Sequence, residues 1–402
     1  MDRPSLTAFE EHLGAVFGAL RGSLISLLSG AGLDSTEPQE MARQLGISRN
    51  LTWKISRVAG TPDMFQAFLH IPGDEGLEIL MSALQRRGCS PTHLAAFNEA
   101  RQELDRLVVR HAGDRATFDL ILDGMGGRDA AERLEHSRKL AFRGNSGLWG
   151  AQARARSTTV LVLPSGSDPD RVDVAMLGGL VDLRRLRPRT PWPIFFKHSF
   201  DAQGNPDASP APEEPLDPPS PDRANLLRDF CSPNLPPIRT VATSGGVEYV
   251  LDAGPIGNLG KCTCFFGSLF RGRAGRYRTA DDTHAEFVSY IHQPTETLQF
   301  DVIIDDRLGL GRDPEVLIRG RVGHAGSAHS GLPLPFLERA TELPGPNPAL
   351  DSPWVPDYGR MIQWTLSRLG LDATHLRAHR LVMKFPPMHA TVSLRYELPL
   401  AP

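Results

Sequence analysis

The period of the apolar residues changes partway along this chain, and that change limits what the chain can fold into. From the N-terminus they fall at Leu6, Phe9, Leu13, Phe17, Leu20, Leu24 and Leu27, in alternating steps of three and four. That spacing keeps one stripe on one face of a helix. A stripe of this kind serves either as the buried face of a bundle helix or as a coiled-coil-like seam between subunits. Further helices are expected over 75–87, where Leu77, Leu80 and Leu84 share a face, and over 94–111, with Leu94, Phe97, Leu104, Leu107 and Val108 inward and Gly113 as the stop. From Thr158 the pattern becomes short β-branched runs bounded by turn residues: "TTVLVL", "VEYVLDAG", "ETLQFDVIIDD", "EVLIRGRV", "RLVMKF" and "ATVSLRYEL". The expected fold class is α+β, with an all-α region over 1–140 followed by a mixed, β-rich domain over 141–402.

Within the second region, "DAQGNPDASPAPEEPLDPPSPDR" (201–223) holds seven prolines and almost no apolar side chains, which predicts an extended surface loop or linker. "YGRMIQWTLSRLG" predicts a helix closing at Gly370, and the end of the chain reads as two strands joined by a proline turn and paired with each other.

At 402 residues there is room for two or three ordinary domains. Hydrophobic residues at 40% and charged residues at 23% suit a soluble globular protein, no uninterrupted run of eighteen apolar residues is found, and the start of the chain lacks the basic-then-apolar order of a secretory signal. Four cysteines, Cys89, Cys231, Cys262 and Cys264, do not amount to a disulfide framework at this length, so a reducing cytoplasm is the expected compartment. A formal net charge of −3 excludes a protein that coats nucleic acid by bulk charge, and any such contact has to be local. Arginine greatly outnumbers lysine, a bias expected of a GC-rich bacterial genome rather than of a particular function.

The stretch "EMARQLGISRNLTWKISRVAG" (40–60) carries the sharpest local pattern. Pro38 suits the first turn of a helix, Thr36 is placed to cap it, and Glu37 and Glu40 suit its positive dipole end. Met41, Ala42 and Leu45 form one face, Gly46 can reverse the chain in the left-handed region, and Ile47 fills the angle between two helices. Ser48 caps a second helix that turns Leu51, Ile55 and Val58 inward and shows Arg49, Asn50, Thr52, Trp53, Lys54 and Arg57 outward.

In its Ala42, Gly46 and Ile47 this segment resembles the helix-turn-helix of bacterial transcription regulators, over about 25 residues of the chain. The resemblance implies a recognition helix. Ser48, Arg49 and Asn50 would face bases and phosphates, Thr52 and Trp53 would share that surface, and Lys54 and Arg57 would add phosphate contacts. Thr52 stands where the family prefers an aliphatic residue, and Trp53 is bulky for a groove-facing position. No strand pair follows as a wing. A tri-helical corner of this shape also serves elsewhere as a packing unit or a protein-binding surface.

Other constellations are weaker. The arginine clusters "DLRRLRPRTPW" (182–192) and "GSLFRGRAGRYRTADD" (267–282) fit solvated loops better than an anion-binding strip. Cys262 and Cys264 on a strand point to one face. With Cys231 and His284 or His292 they could form a zinc site, but small buried hydrophobes are the commoner use of such cysteines. His324, His329, Asp305 and Asp306 could hold a hydrolytic metal but match no metalloprotease frame, and no Walker loop, dinucleotide fingerprint or nucleophile elbow is present. The sequence therefore points to a DNA-binding regulator that is not an enzyme. Its expected partners are double-stranded DNA, a second copy of itself in a homodimer and a small-molecule effector for the C-terminal domain, with no cofactor, no metal and no membrane. A metal-dependent hydrolase and a structural assembly protein are the rival classes.

Overall fold

The computed structural model describes residues 4–124, 130–188, 191–198, 212–218, 224–243, 246–320, 331–345 and 348–402. The chain divides into two compact units, Met1–Arg133 and Leu134–Pro402. The first is helical: α1 (Pro4–Gly30), α2 (Pro38–Leu45), α3 (Arg49–Gly60), α4 (Met64–Phe68), α5 (Asp74–Arg86), α6 (Pro91–His111) and α7 (Arg115–Gly124). Helix α8 (Ala130–Trp149) carries the chain into the second unit.

Helix α1 is built on the stripe read from the sequence. Leu13, Phe17, Leu20, Leu24 and Leu27 are all buried, Phe9 packs at the edge, and α6 lies alongside. The side chain of Leu6 is outside the described residues. The stripe is therefore interior to its own unit, and the seam between subunits that the same spacing allowed is not available on these residues. By length and composition α1 is apolar enough to cross a membrane, although Arg21 interrupts its apolar run. Gly113, at φ +86°, ends α6 in the expected left-handed conformation.

The second unit carries fourteen strands among its described residues: β1 (Ala151–Pro164), β2 (Arg171–Arg185), β3 (Trp192–His198), β4 (Glu213–Pro215), β5 (Ile238–Thr243), β6 (Gly246–Leu251), β7 (Cys262–Gly275), β8 (His284–Ile291), β9 (Thr295–Asp305), β10 (Glu315–Gly320), β11 (Leu332–Pro333), β12 (Thr341–Leu343), β13 (Leu376–Lys384) and β14 (Ala390–Glu397), with α9 (Tyr358–Arg368) between β12 and β13. They form a seven-stranded sheet in the order β12-β13-β9-β1-β2-β7-β4, a four-stranded sheet β11-β10-β14-β8 and a three-stranded sheet β3-β6-β5. Strand β1 is central, antiparallel to β2 and parallel to β9. Its Leu161 and Leu163 pack with α9 on one face, while Val160 and Val162 pack against the four-stranded sheet on the other. Burial on both faces explains why "TTVLVL" is continuously apolar rather than alternating.

Three expectations change. The last two strands do not pair with each other: β13 joins β9 and β12, whereas β14 joins β8 and β10. Leu381 and Met383 instead meet Val392, Leu394 and Tyr396 across one core, so the two strands are stacked face to face. The connection between them places Phe385 and His389 at positive φ. Of the proline-rich segment, 201–211 and 219–223 lie outside the described residues, but Glu213–Pro215 forms β4 against β7 and Leu216 is buried in the α9-side core. The arginine clusters are not free loops: Arg185, on β2, is buried and donates to the carbonyls of Leu251 and Asp252, and Arg271, on β7, pairs with Asp173 at 2.9 Å.

Candidate nucleic-acid interface

Helix α2 starts with Pro38 in its first turn, and Glu37 occupies the cap position without a side-chain hydrogen bond. Thr36 does not cap it, because its amide and its hydroxyl both donate to Asp34 Oδ1, at 2.8 and 2.7 Å. The short aspartate two residues upstream closes a local turn that competes with capping. At the other end Gly46 adopts φ 64°, ψ 34°, and the amides of Gly46 and Ile47 both donate to the Ala42 carbonyl. That turns the chain sharply enough for Ser48 to begin α3, its hydroxyl accepting from the Leu51 amide at 3.2 Å.

Leu51, Ile55 and Val58 face the core. Arg21, from the middle of α1, donates to the carbonyls of Val58 at 3.0 Å and of Thr61, and so ties the C-terminal end of α3 to the central helix. Sequence reading missed this tie. Its only signal was a lone arginine inside an apolar stripe.

The opposite face of α3 exposes Ser48, Arg49, Asn50, Trp53 and Arg57, with Lys54 half-buried. Thr52 was expected among them and is not there: it is 1% exposed, and its hydroxyl donates to the Arg49 carbonyl at 3.1 Å. At 100° per residue, position 52 follows Leu51 and precedes Ile55 by three, which places it on the buried side. Threonine thus fills the space of the aliphatic residue that the resembled family prefers, with its hydroxyl satisfied inside its own helix. Trp53 meets the ring of His70 edge-on at 5.1 Å between centroids, and the Arg57 guanidinium lies 5.3 Å over the Trp53 ring, so the bulky indole is held flat under a cation.

The charges of the two helices differ. On α2, Glu40 pairs with Arg43 and accepts from Gln44 at 2.7 Å, which holds its carboxyl down at about 2 and neutralises Arg43. On α3, no carboxylate among the described residues pairs with Arg49, Lys54 or Arg57, and the first turn has no acidic side chain. Three cations therefore share a face whose leading edge is the positive end of a twelve-residue helix.

The candidates of the second unit are either engaged in other contacts or not among the described residues. His324 and His329 lie outside the described residues. Asp305 accepts from the Arg307 amide at 3.0 Å and pairs with its guanidinium at 2.6 Å, and Asp306 pairs with Arg312 and Arg377. Cys262 and Cys264 do share a buried environment, but burial pushes the Cys262 and Cys231 thiols up to about 11 and holds Cys264 well above the ordinary thiol range, whereas zinc binds the thiolate. Among the described residues no three His, Cys, Asp or Glu side chains are grouped to hold a metal. No protein-family model matches the chain, and no curated protein matches it.

Proposed function

We propose that the protein is a DNA-binding transcription regulator whose helical unit lays α3, the second helix of a helix-turn-helix, into the major groove. The observation that carries this reading is the cationic face of α3, where Arg49, Lys54 and Arg57 have no acidic partner among the described residues while Arg43 on the neighbouring helix has one. Solvated cations with no internal partner are free to displace counterions from phosphates. Ser48, Arg49 and Asn50, at the exposed start of the helix, are the residues that would reach base edges and phosphates, with Trp53 beside them. Thr52 supports the helix from beneath.

One short helix supplies little affinity, so the reading includes a homodimer on paired half-sites. Because the α1 stripe is core, its interface uses other residues. The β-rich unit is proposed as the ligand-sensing part.

The experiment is a salt titration of duplex binding. Replacing Arg49, Lys54 and Arg57 by alanine is expected to weaken binding to every sequence and to reduce the slope of log K against log salt by roughly 0.9 for each phosphate that is no longer neutralised. Asn50→Ala is expected to change the preference at one base position, by about 1–3 kcal/mol. A folded triple variant that binds with the wild-type slope would falsify the assignment of α3.

A further inference from the structure

The seven-stranded sheet turns one face to α9. On its other face, the β8 edge of the four-stranded sheet and the β3–β6 part of the three-stranded sheet stand on either side of a groove of about 1230 Å³. Its floor is set by strand register. Val162 sits beside Val174, Val160 beside Met176, Thr158 beside Gly178 and Arg156 beside Leu180. Alternate residues of β1 share this face, so Arg156 and Val162 mark a straight line of roughly 20 Å. A Cβ at Gly178 would come within 3.1 Å of the Phe195 ring, so glycine there lets the aromatic wall close onto the floor.

Arg156 is the anomaly at one end of this line. It is 8% exposed; Nη1 donates to Gln293 Oε1 at 2.8 Å, and Nε is buried with no hydrogen-bond partner among the described residues. Gln293 is itself fixed, because its amide nitrogen donates to the carbonyls of Pro193 and Ile194 at 3.2 and 3.1 Å. The other buried arginines among the described residues of the unit meet a carboxylate or carbonyls: Arg138 and Arg377 pair with Glu338 and Asp306, and Arg185 donates to two carbonyls. Among the described residues no acid pairs with Arg156. The glutamates that also line the groove are engaged elsewhere, Glu286 with Arg319 at 3.1 Å and Glu213 with Asn225 and Ser268. Burial lowers the guanidinium only to about 10, so it stays charged at neutral pH. A buried, unpaired charge costs stability, and its fork of donors suits one planar anion.

We infer that this groove binds a long-chain aliphatic carboxylate, its head on Arg156 and its tail running parallel to β1 past Phe195, the exposed Met176 and Phe270, with the buried Val160 and Val162 closing the floor beneath. Of the described arginines that line the groove only Arg156 is buried, while Arg276 donates to the Arg307 carbonyl, Arg395 pairs with Glu315 and Arg273 is exposed, so the head meets one buried guanidinium, which matches a monoanion better than a phosphate dianion. Thr158 spends its hydroxyl on Ser289 at 2.8 Å, and the valines beside it have none, so the floor leaves the tail an apolar surface. All the residues involved belong to the second unit, so the site does not depend on the DNA-binding reading.

The test uses the full chain and a fluorescent polyene fatty acid, displaced in turn by hexadecanoate, its methyl ester and hexanoate. Hexadecanoate is expected to bind at least about ten-fold more tightly than its ester, as the loss of one charge-assisted pair requires, and more tightly than hexanoate. Arg156→Met is expected to keep or raise the thermal midpoint and to abolish the preference for acid over ester. Met176→Trp, which narrows the floor away from the guanidinium, is expected to weaken acid and ester alike. Equal binding of acid and ester by the wild-type chain overturns the inference without any variant, and so does a folded Arg156→Met protein that keeps the preference. Indifference of both ligands to Met176→Trp places the tail elsewhere and overturns it too.

Discussion

The two units are stabilised by opposite means. Among the described residues of the helical unit the only buried polar side chain is Thr52, whereas the β-rich unit buries arginines, aspartates, a histidine and many hydroxyls. Helices satisfy their own backbone and need only an apolar stripe to pack, so their cations are left at the surface. A sheet stacked between other layers meets neighbours on both faces and brings distant polar residues together in its interior. In the first unit the unpaired charge lies outside, on α3, and suits a large polyanion. In the second it lies inside, at Arg156, and suits a small one.

The largest effect expected from this difference is at Asp301, fully buried on β9. Its carboxylate accepts from Arg380 at 2.7–3.1 Å and from Gln299 at 3.2 Å, while Arg380 also donates to the carbonyls of Leu350 and Asp351. Asp301→Ala leaves the largely buried Arg380 guanidinium without its counter-charge and is expected to cost about 3–5 kcal/mol in urea unfolding. Replacing both partners by apolar residues, as in Asp301→Leu with Arg380→Met, is expected to cost less than the single change. If the double variant is the less stable one, the β-rich interior does not depend on paired charge in the way described.

In the helical unit the corresponding change is apolar. Leu20→Ala, at the middle of the α1 stripe, is expected to cost about 2–5 kcal/mol through lost transfer energy and a residual cavity. Charged residues at Leu13 and Leu20 are expected to unfold this unit. Soluble, folded monomers from such a variant, seen by circular dichroism and sedimentation, would return the stripe to a subunit seam.

The same contrast explains what the sequence allowed to be read. Helix α1, the α2–Gly46–α3 corner and the Ser48 cap rest on spacings of three or four residues, which a sequence displays directly. The pairing of β14 with β8 and β10, the face-to-face stacking of β13 on β14, and β4 depend on partners many residues away, which no local pattern encodes. The cations of α3 were legible because they are neighbours on one helix. Arg156 was not singled out. In "AQARARSTTV" it is one of two alternating arginines, and only the fold distinguishes them: Arg154 pairs with Asp182 at 2.8 Å, while Arg156 meets an amide. Thr52 was misplaced because a hydroxyl reads as polar in sequence, although its helix position is inward.

Smaller effects test the corner itself. A Cβ at Gly46 meets no atom within 4 Å, so Gly46→Ala carries only the conformational cost of φ 64°, about 1–2 kcal/mol. Duplex affinity should fall only as far as the folded fraction does. A loss of affinity in fully folded protein would show that the angle between α2 and α3, rather than their stability, is what the alanine changes.

The smallest effect is expected at Thr52, and it separates support from contact on α3. Thr52→Val keeps the shape and exchanges a hydroxyl for a methyl. The lost hydrogen bond to the Arg49 carbonyl is worth about 0.5–1.5 kcal/mol, and the added apolar burial returns about 0.8 kcal/mol. The Arg49 carbonyl still accepts the helical amide bond, so no buried acceptor is orphaned. The net change in unfolding free energy is therefore expected to stay within about 1 kcal/mol. Valine also restores the aliphatic residue typical of the helix-turn-helix that this segment resembles. Duplex affinity, base preference and salt slope should all match the wild type, in contrast to Asn50→Ala two residues away on the exposed face. If Thr52→Val keeps its stability but alters base preference, the hydroxyl reaches the nucleic acid, and α3 must rotate on binding to present a face that is now interior.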